Sequence, residues 1–176
     1  MSSVARIWLP NATRYTKGGE ILDCPGWKVA YLTELDPPVF KGLNLVGYSL
    51  TAEAICLKRK THRSPDIECD CGFYSFNNLR DAKNELYMSR NLILLYTENY
   101  GEIHMHTKGA KSQEQDVIEI YIPKNCSRYF CKNKSQGLAK FKKYWAPSCG
   151  NHPAKGFYTS KQLADIMLVD VSLLSD

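Results

Sequence analysis

The chain has 176 residues, 44% hydrophobic and 23% charged, the balance of a folded globular protein of one domain or one domain with a small appendage. No apolar run approaches the roughly 18–20 residues of a membrane span, and the opening MSSVARIWLPNATRY lacks the apolar core of a secretory signal. The formal net charge of +5 is mild, and the expectation is a cytoplasmic protein without membrane contact, whose thiols stay reduced.

Residues 1–55 are β-like and rich in turns. WKVAYL (27–32) alternates weakly, Pro37 and Pro38 then interrupt any ladder, and LVGYSLTAEAICLK (45–58) reads as a long strand leading into Cys56. Residues 56–74 form a polar loop punctuated by Pro65 and Gly72. Beyond it, Leu79, Ala82, Leu86 and Tyr87 recur at helical spacing behind Asn77 or Asn78 as N-cap. LILLYTE (92–98) and GEIHMHT (101–107) predict a hairpin across Asn99-Tyr100-Gly101. DVIEIYIP (116–123) predicts a strand with Val117 on one face and Ile118, Ile120 and Ile122 on the other. A short helix is predicted within 136–144, where Phe141 and Tyr144 stand at helical spacing. Thr159-Ser160-Lys161-Gln162 reads as a capping box opening a last helix, TSKQLADIMLV. The expected fold class is α+β: a compact β-rich body, mixed or barrel-like, with short helices. Residues 1–123 would form the body, and 124–176 a basic aromatic segment plus the last helix, within one compact unit.

Six of the seven cysteines and two of the four histidines sort into two Cys3His quartets. The first is Cys56, His62, Cys69 and Cys71, with spacing Cys-x5-His-x6-Cys-x-Cys; the second is Cys126, Cys131, Cys149 and His152, with spacing Cys-x4-Cys-x17-Cys-x2-His. In a reducing compartment such clusters point to metal rather than disulfides. Four soft or borderline ligands close a tetrahedron and leave no open position, so the expectation is two structural zinc ions that staple loops too short to hold themselves by burial. Six thiolates on two Zn(II) add −6 + 4 = −2 and bring the formal charge from +5 to about +3. The bland alternatives are buried thiols beside a surface histidine at the first set, and a core strand NCSRYFC with unrelated Cys149 and His152 at the second.

Catalysis is not expected. The second set has no acid that could serve as general base, which departs from the zinc-deaminase pattern, and no P-loop, dinucleotide fingerprint or serine elbow occurs. Cys24 reads as buried or incidental. His104 and His106 alternate on a predicted strand and would share a face, without a third ligand.

The second quartet lies in a run, 124–161, with nine Lys/Arg and no Asp or Glu. Tyr129, Phe130, Phe141, Tyr144, Trp145, Phe157 and Tyr158 are interleaved with these cations. Cations neutralise phosphates and aromatic faces stack on unpaired bases, which points to nucleic acid. The candidate contact residues are Lys124, Arg128, Lys132, Lys134, Lys140, Lys142, Lys143, Tyr144, Trp145, Lys155 and Tyr158, with an aromatic base pocket involving Trp27 or Trp145. Lysine predominates over arginine in this run, which favours phosphate contact over bidentate base readout. The competing assignment is that the aromatics form a small core around the metal and the lysines merely solvate it.

The run from His62 through Pro65, Cys69, Cys71 and Gly72 to Phe73-Tyr74 resembles a motif of small bacterial and phage proteins, in which an upstream cysteine is followed by His-x-x-Pro and then Cys-x-Cys-Gly with aromatics. The resemblance covers about 45–122, with Glu98-Asn99-Tyr100-Gly101-Glu102-Ile103-His104 as its acidic-Gly-hydrophobic turn. It implies that Cys56, His62, Cys69 and Cys71 act together, and it implies no activity. The layout is also loosely similar to PUA-like modules, some of which read modified bases. The leading expectation is therefore a zinc-stabilised, non-catalytic nucleic-acid-binding module. The alternatives are a protein-interaction module of a phage or mobile element acting on a host protein, and a small zinc hydrolase.

Overall fold

The structure, a computed structural model, describes residues 5–9 and 12–16 by backbone alone and 24–44, 46–58 and 62–175 in full. The fold is α+β and dominated by strands. β1 (Ala5–Leu9) and β2 (Ala12–Thr16) pair antiparallel in a small separate sheet.

β3 (Cys24–Leu35) organises the rest. Its alternate residues Gly26, Lys28, Ala30 and Leu32 share one face. Ala30 and Leu32 join a core cluster with Phe40, Ile93, Leu95, Ile120, Ile122 and Leu138. Val29 on the opposite face packs in a second cluster with Ala82, Leu86, Leu92 and Leu94. Both faces are thus covered, which explains the weak alternation of WKVAYL. A turn at Asp36-Pro37 leads into β4 (Pro38–Lys41), where Pro38 takes the first strand position opposite Leu35.

The long strand predicted over 45–58 is two short ones, β5 (Gly47–Tyr48) and β6 (Thr51–Glu53). They serve different partners: Tyr48 pairs with Phe40 of β4, whereas Thr51 pairs with Asp116. The chain must turn between them, and Ser49 Oγ donates to Thr51 O at 2.7 Å within that turn. Cys56 therefore lies in a loop rather than at a strand end.

β7 (Phe73–Phe76) precedes α1 (Leu79–Leu86), whose N-cap is Asn78, accepting from Asp81 N at 2.9 Å. The hairpin predicted at 99–101 is absent, because 93–105 is one strand, β8 (Ile93–Met105). Gly101 takes φ +74° inside a bulge between the pairs Tyr100–Glu114 and Ile103–Ser112, so its left-handed freedom serves a bulge, not a turn. The actual turn follows at 106–108, closed by His106 N to Gly109 O at 2.7 Å, and leads into β9 (Gly109–Ile122). A second bulge, between the pairs Tyr96–Glu119 and Thr97–Val117, inserts Ile118 and shifts the alternation. Val117 consequently joins Ile120 and Ile122 in the core and Ile118 faces out, the reverse of strict period-2 expectation.

β3 pairs with β8 over Cys24–Ala30 and meets β7 at Trp27–Phe76, and β9 pairs with both β7 and β8. These four strands close a barrel-like ring. One end is filled by the apolar core. The other is filled by a buried amide network: Asn99 Nδ2 donates to Cys24 O (2.7 Å) and Ser75 Oγ (3.0 Å), while Asn99 Oδ1 accepts from Ser112 Oγ (3.0 Å) and Gln115 Nε2 (2.8 Å). Gly26 permits this closeness, since a Cβ there would collide with the Ser75 side chain.

The helix predicted within 136–144 is a hairpin of β10 (Gly137–Phe141) and β11 (Tyr144–Ser148). Phe141 and Tyr144 face each other across the two-residue turn Lys142-Lys143, with Lys142 at φ +54°. An i, i+3 spacing is common to a helix face and a two-residue hairpin, and β10 finds partners on both sides, β11 and β12 (Phe157–Thr159). Trp145 of β11 in turn pairs with Leu32 of β3. The capping box is present as predicted: Thr159 caps α2 (Ser160–Met167), and Gln162 returns the bond to Thr159 N at 2.9 Å. Leu163 and Met167 enter the core beside Ala30, and β13 (Asp170–Leu173) adds parallel to β9. No helix among the described residues is long and apolar enough to cross a membrane.

Candidate metal centres and the basic surface

The first quartet draws all four of its residues from the single connection between β6 and β7. Cys56, His62, Cys69 and Cys71 place their ligand atoms within 4.8 Å of one another. Cys56 Sγ and Cys69 Sγ are 3.7 Å apart, and His62 Nε2 lies 3.3 Å from Cys71 Sγ. A tetrahedral site with bonds of about 2.3 Å to sulfur has S–S edges of about 3.8 Å, so the spacing suits a metal ion. The backbone is prepared for it. Asp66 Oδ1 accepts from Glu68 N at 2.8 Å, and Lys111 of β9 donates from Nζ to Asp66 O (3.1 Å) and Cys69 O (2.7 Å). Gly72, at φ +112°, turns the chain from Cys71 into β7 against the Lys111 stem.

The second quartet joins the Cys126–Cys131 knuckle to the end of β11. Cys126, Cys131, Cys149 and His152 also lie within 4.8 Å, with Cys131 Sγ and Cys149 Sγ 3.9 Å apart. Cys126 N donates to Asn133 O and Cys131 N to Arg128 O, both at 3.2 Å, while Ser127 N bonds Pro147 O at 2.8 Å and ties the knuckle to β11. Gly150 takes φ +80° beyond Cys149 and lets the chain turn back toward His152. His152 Nε2 is buried without a hydrogen-bond partner among the described residues, as a ligand nitrogen facing its ion would be. Either quartet could hold a metal ion, and both have the closed donor set of a structural site.

The candidate nucleic-acid residues divide. Lys132, Lys134, Lys142, Lys143 and Lys155 are exposed, and none forms an ion pair among the described residues. Arg128 is exposed too, with its guanidinium 4.1 Å from the Phe141 centroid and Nη2 donating to Pro153 O at 3.2 Å. Lys124 is half-buried. Lys140 turns inward, donating to Thr33 O and lying 5.4 Å from the Trp145 ring. Trp145 and Tyr158 contact each other at 5.5 Å and pack against the core, and Tyr144 stacks on Tyr31 at 4.7 Å. Trp27 lies between Tyr96 and Tyr121. Both indoles are half-buried and pack against the core clusters. Within the basic run the exposed rings are Tyr129 and Phe130, at the tip of the Cys126–Cys131 knuckle; outside it Tyr87 is exposed to a similar degree. Arg90, from the segment after α1, joins them: its guanidinium is 4.6 Å from the Tyr129 centroid and its Nη1 donates to Arg128 O at 3.3 Å. Arg90 lies far from the basic run in sequence, and no local pattern marks it.

Among the remaining residues, Cys24 is half-buried with Sγ 4.0 Å from Met105 Sδ, and burial raises its thiol pKa, the opposite of an activated nucleophile. His104 is buried, with Nε2 2.9 Å from Glu102 Oε1. His106 is beyond the end of β8, in the turn, and burial lowers its pKa. It lines an open cleft of about 470 Å³ beside the first quartet, together with Ile67, Glu68, Tyr74 and Lys111.

Fold and sites together define a β-rich α+β protein with two Cys3His quartets able to hold metal. No family model, curated protein or solved structure matches the chain, so its own residues carry the functional reading.

Proposed function

We propose that this chain is a zinc-stabilised nucleic-acid-binding module without catalytic activity. The observation that carries the reading is that Lys132, Lys134, Lys142, Lys143 and Lys155, all in the segment that carries the second quartet, are exposed and form no ion pair among the described residues. Zinc suits both quartets because three thiolates and one imidazole in tetrahedral spacing match its preference and complete its coordination. The ions would hold the two loops rigid and take no part in chemistry. Each lysine that neutralises a phosphate releases a counterion, so affinity should fall steeply with salt. Titration of labelled single-stranded and duplex oligonucleotides at about 50 and 200 mM salt tests this. Binding that weakens by on the order of ten-fold or more across that range supports the reading, and no binding at either salt sinks it.

A second reading, a protein-interaction module, draws on the first quartet, where Ile55, Leu57 and Ile67 are exposed apolar side chains around the metal loop. Capture of a stoichiometric protein partner that survives nuclease treatment, and is lost on Ile55→Ser with Leu57→Ser, would favour it.

A further inference from the structure

The Cys126–Cys131 knuckle presents aromatic rings that the core does not cover. Phe130 is 98% exposed and Tyr129 78% exposed. Phe130 is also held at φ +62°, a left-handed conformation that glycine or asparagine adopts far more readily than a bulky side chain. Neither burial nor backbone preference accounts for phenylalanine here, and a residue held against preference in a rigid turn points to a use for its side chain.

The tip is fixed from three directions. Cys126 and Cys131 anchor both ends in the quartet, and Cys131 N closes the turn on Arg128 O at 3.2 Å. Arg128 reaches across Phe141 to Pro153 O. Arg90 lies against the Tyr129 ring and also donates to Arg128 O. One ring is thereby supported by a cation while the next, Phe130, stands open to solvent. Lys132 and Lys134 follow immediately, both exposed.

We propose that the Tyr129–Phe130 tip is a stacking platform for unpaired bases of a single-stranded nucleic acid, with Lys132 and Lys134 on the adjoining phosphates. The inference rests on the nucleic-acid reading and adds to it the strand form and the ring that selects it. An open aromatic face needs a flat apolar partner, and the flanking lysines need anions; unpaired nucleotides supply both in each repeat. In a duplex, base faces are covered by their neighbours and only the phosphates remain accessible.

The test uses the full zinc-loaded protein and a labelled oligonucleotide, single-stranded or annealed to its complement, each titrated at two salt concentrations. Phe130→Ala should weaken single-strand binding on the order of 5- to 150-fold, the loss of one base–aromatic stack, while changing duplex binding less than about two-fold and leaving the salt slope intact. Lys132→Gln should weaken both forms and flatten the slope. Phe130→Trp should retain single-strand affinity, with its indole emission quenched by the strand and not by the duplex. Metal content and thermal unfolding of each variant report the fold. Equal losses on both forms, or unchanged single-strand binding by Phe130→Ala, overturn the platform while the basic-surface reading stands. Wild-type protein that binds neither form sinks both.

Discussion

Lys28 stands inside the strand ring, buried, with its Nζ 5.0 Å from the ring centroids of Tyr48 and Phe73 and donating to Tyr74 O at 3.1 Å. Burial lowers its pKa to about 7 from the ordinary 10.5. The unfolded chain then binds more protons than the folded one between those values, so stability rises with pH across that window. Below pH 7 both states are charged and the whole net penalty stands, on the order of 5 kcal/mol. Chemical denaturation between pH 7 and 9 should show increasing stability. Lys28→Met should flatten that dependence and add about 1–3 kcal/mol at pH 7, since losing the donor to Tyr74 O offsets part of the gain. A steeper dependence in the variant would refute the assignment. Asn99 is the complementary case, a buried amide with donors and acceptors matched inside the ring. Asn99→Leu should destabilise by about 2–4 kcal/mol in thermal unfolding, because it strands Cys24 O and the side chains of Ser112 and Gln115.

At the scale of elements, the proposed ions would cross-link loops that bury few large side chains. The knuckle 126–131 exposes Arg128, Tyr129 and Phe130, and its attachments are a backbone bond to β11, the side-chain contacts of Arg90 and Arg128, and the quartet itself. If both quartets hold zinc as proposed, Cys149→Ser should reduce bound zinc from two equivalents to one and raise amide exchange across 125–135 and 149–155, with β8 and β9 little affected. The local signals that succeeded here were those with a short-range cause. Asn78 caps α1 and Thr159-Gln162 caps α2, because capping is settled within four residues. The signals that failed were ambiguous at short range. Gly101 serves a bulge as well as a turn, and the Phe141–Tyr144 spacing serves a hairpin as well as a helix. Each ambiguity is resolved by a distant partner, β9 in the first case and β11 with β12 in the second.

At the scale of the molecule, the C-terminal elements complete the body rather than hang from it. Leu163 and Met167 of α2 are fully buried against a core drawn from β3, β8 and β9, and β13 covers one edge of β9. Deleting 160–176 should abolish cooperative unfolding and expose dye-binding apolar surface, not merely trim the fold, because at least two large side chains leave the core at about 2–5 kcal/mol each. A truncated protein that still unfolds cooperatively near the full-length midpoint would contradict this.

The two quartets, the acid-free basic run, the N-cap of α1 and the capping box of α2 were set by sequence alone, since each depends on residue type at short spacing. Ligand chemistry, charge and first-turn hydrogen bonds need no distant partner to be recognised. The bulge that turns Val117 inward, the burial of Lys28, the packing of Trp27 and Trp145 against the body, and the approach of Arg90 to Tyr129 were decided only by tertiary structure. In each, the deciding neighbour is contributed by another strand or loop far along the chain. The candidate metal donors are thus written in the order of residues. Which aromatic ring stays exposed is settled by what the rest of the fold covers.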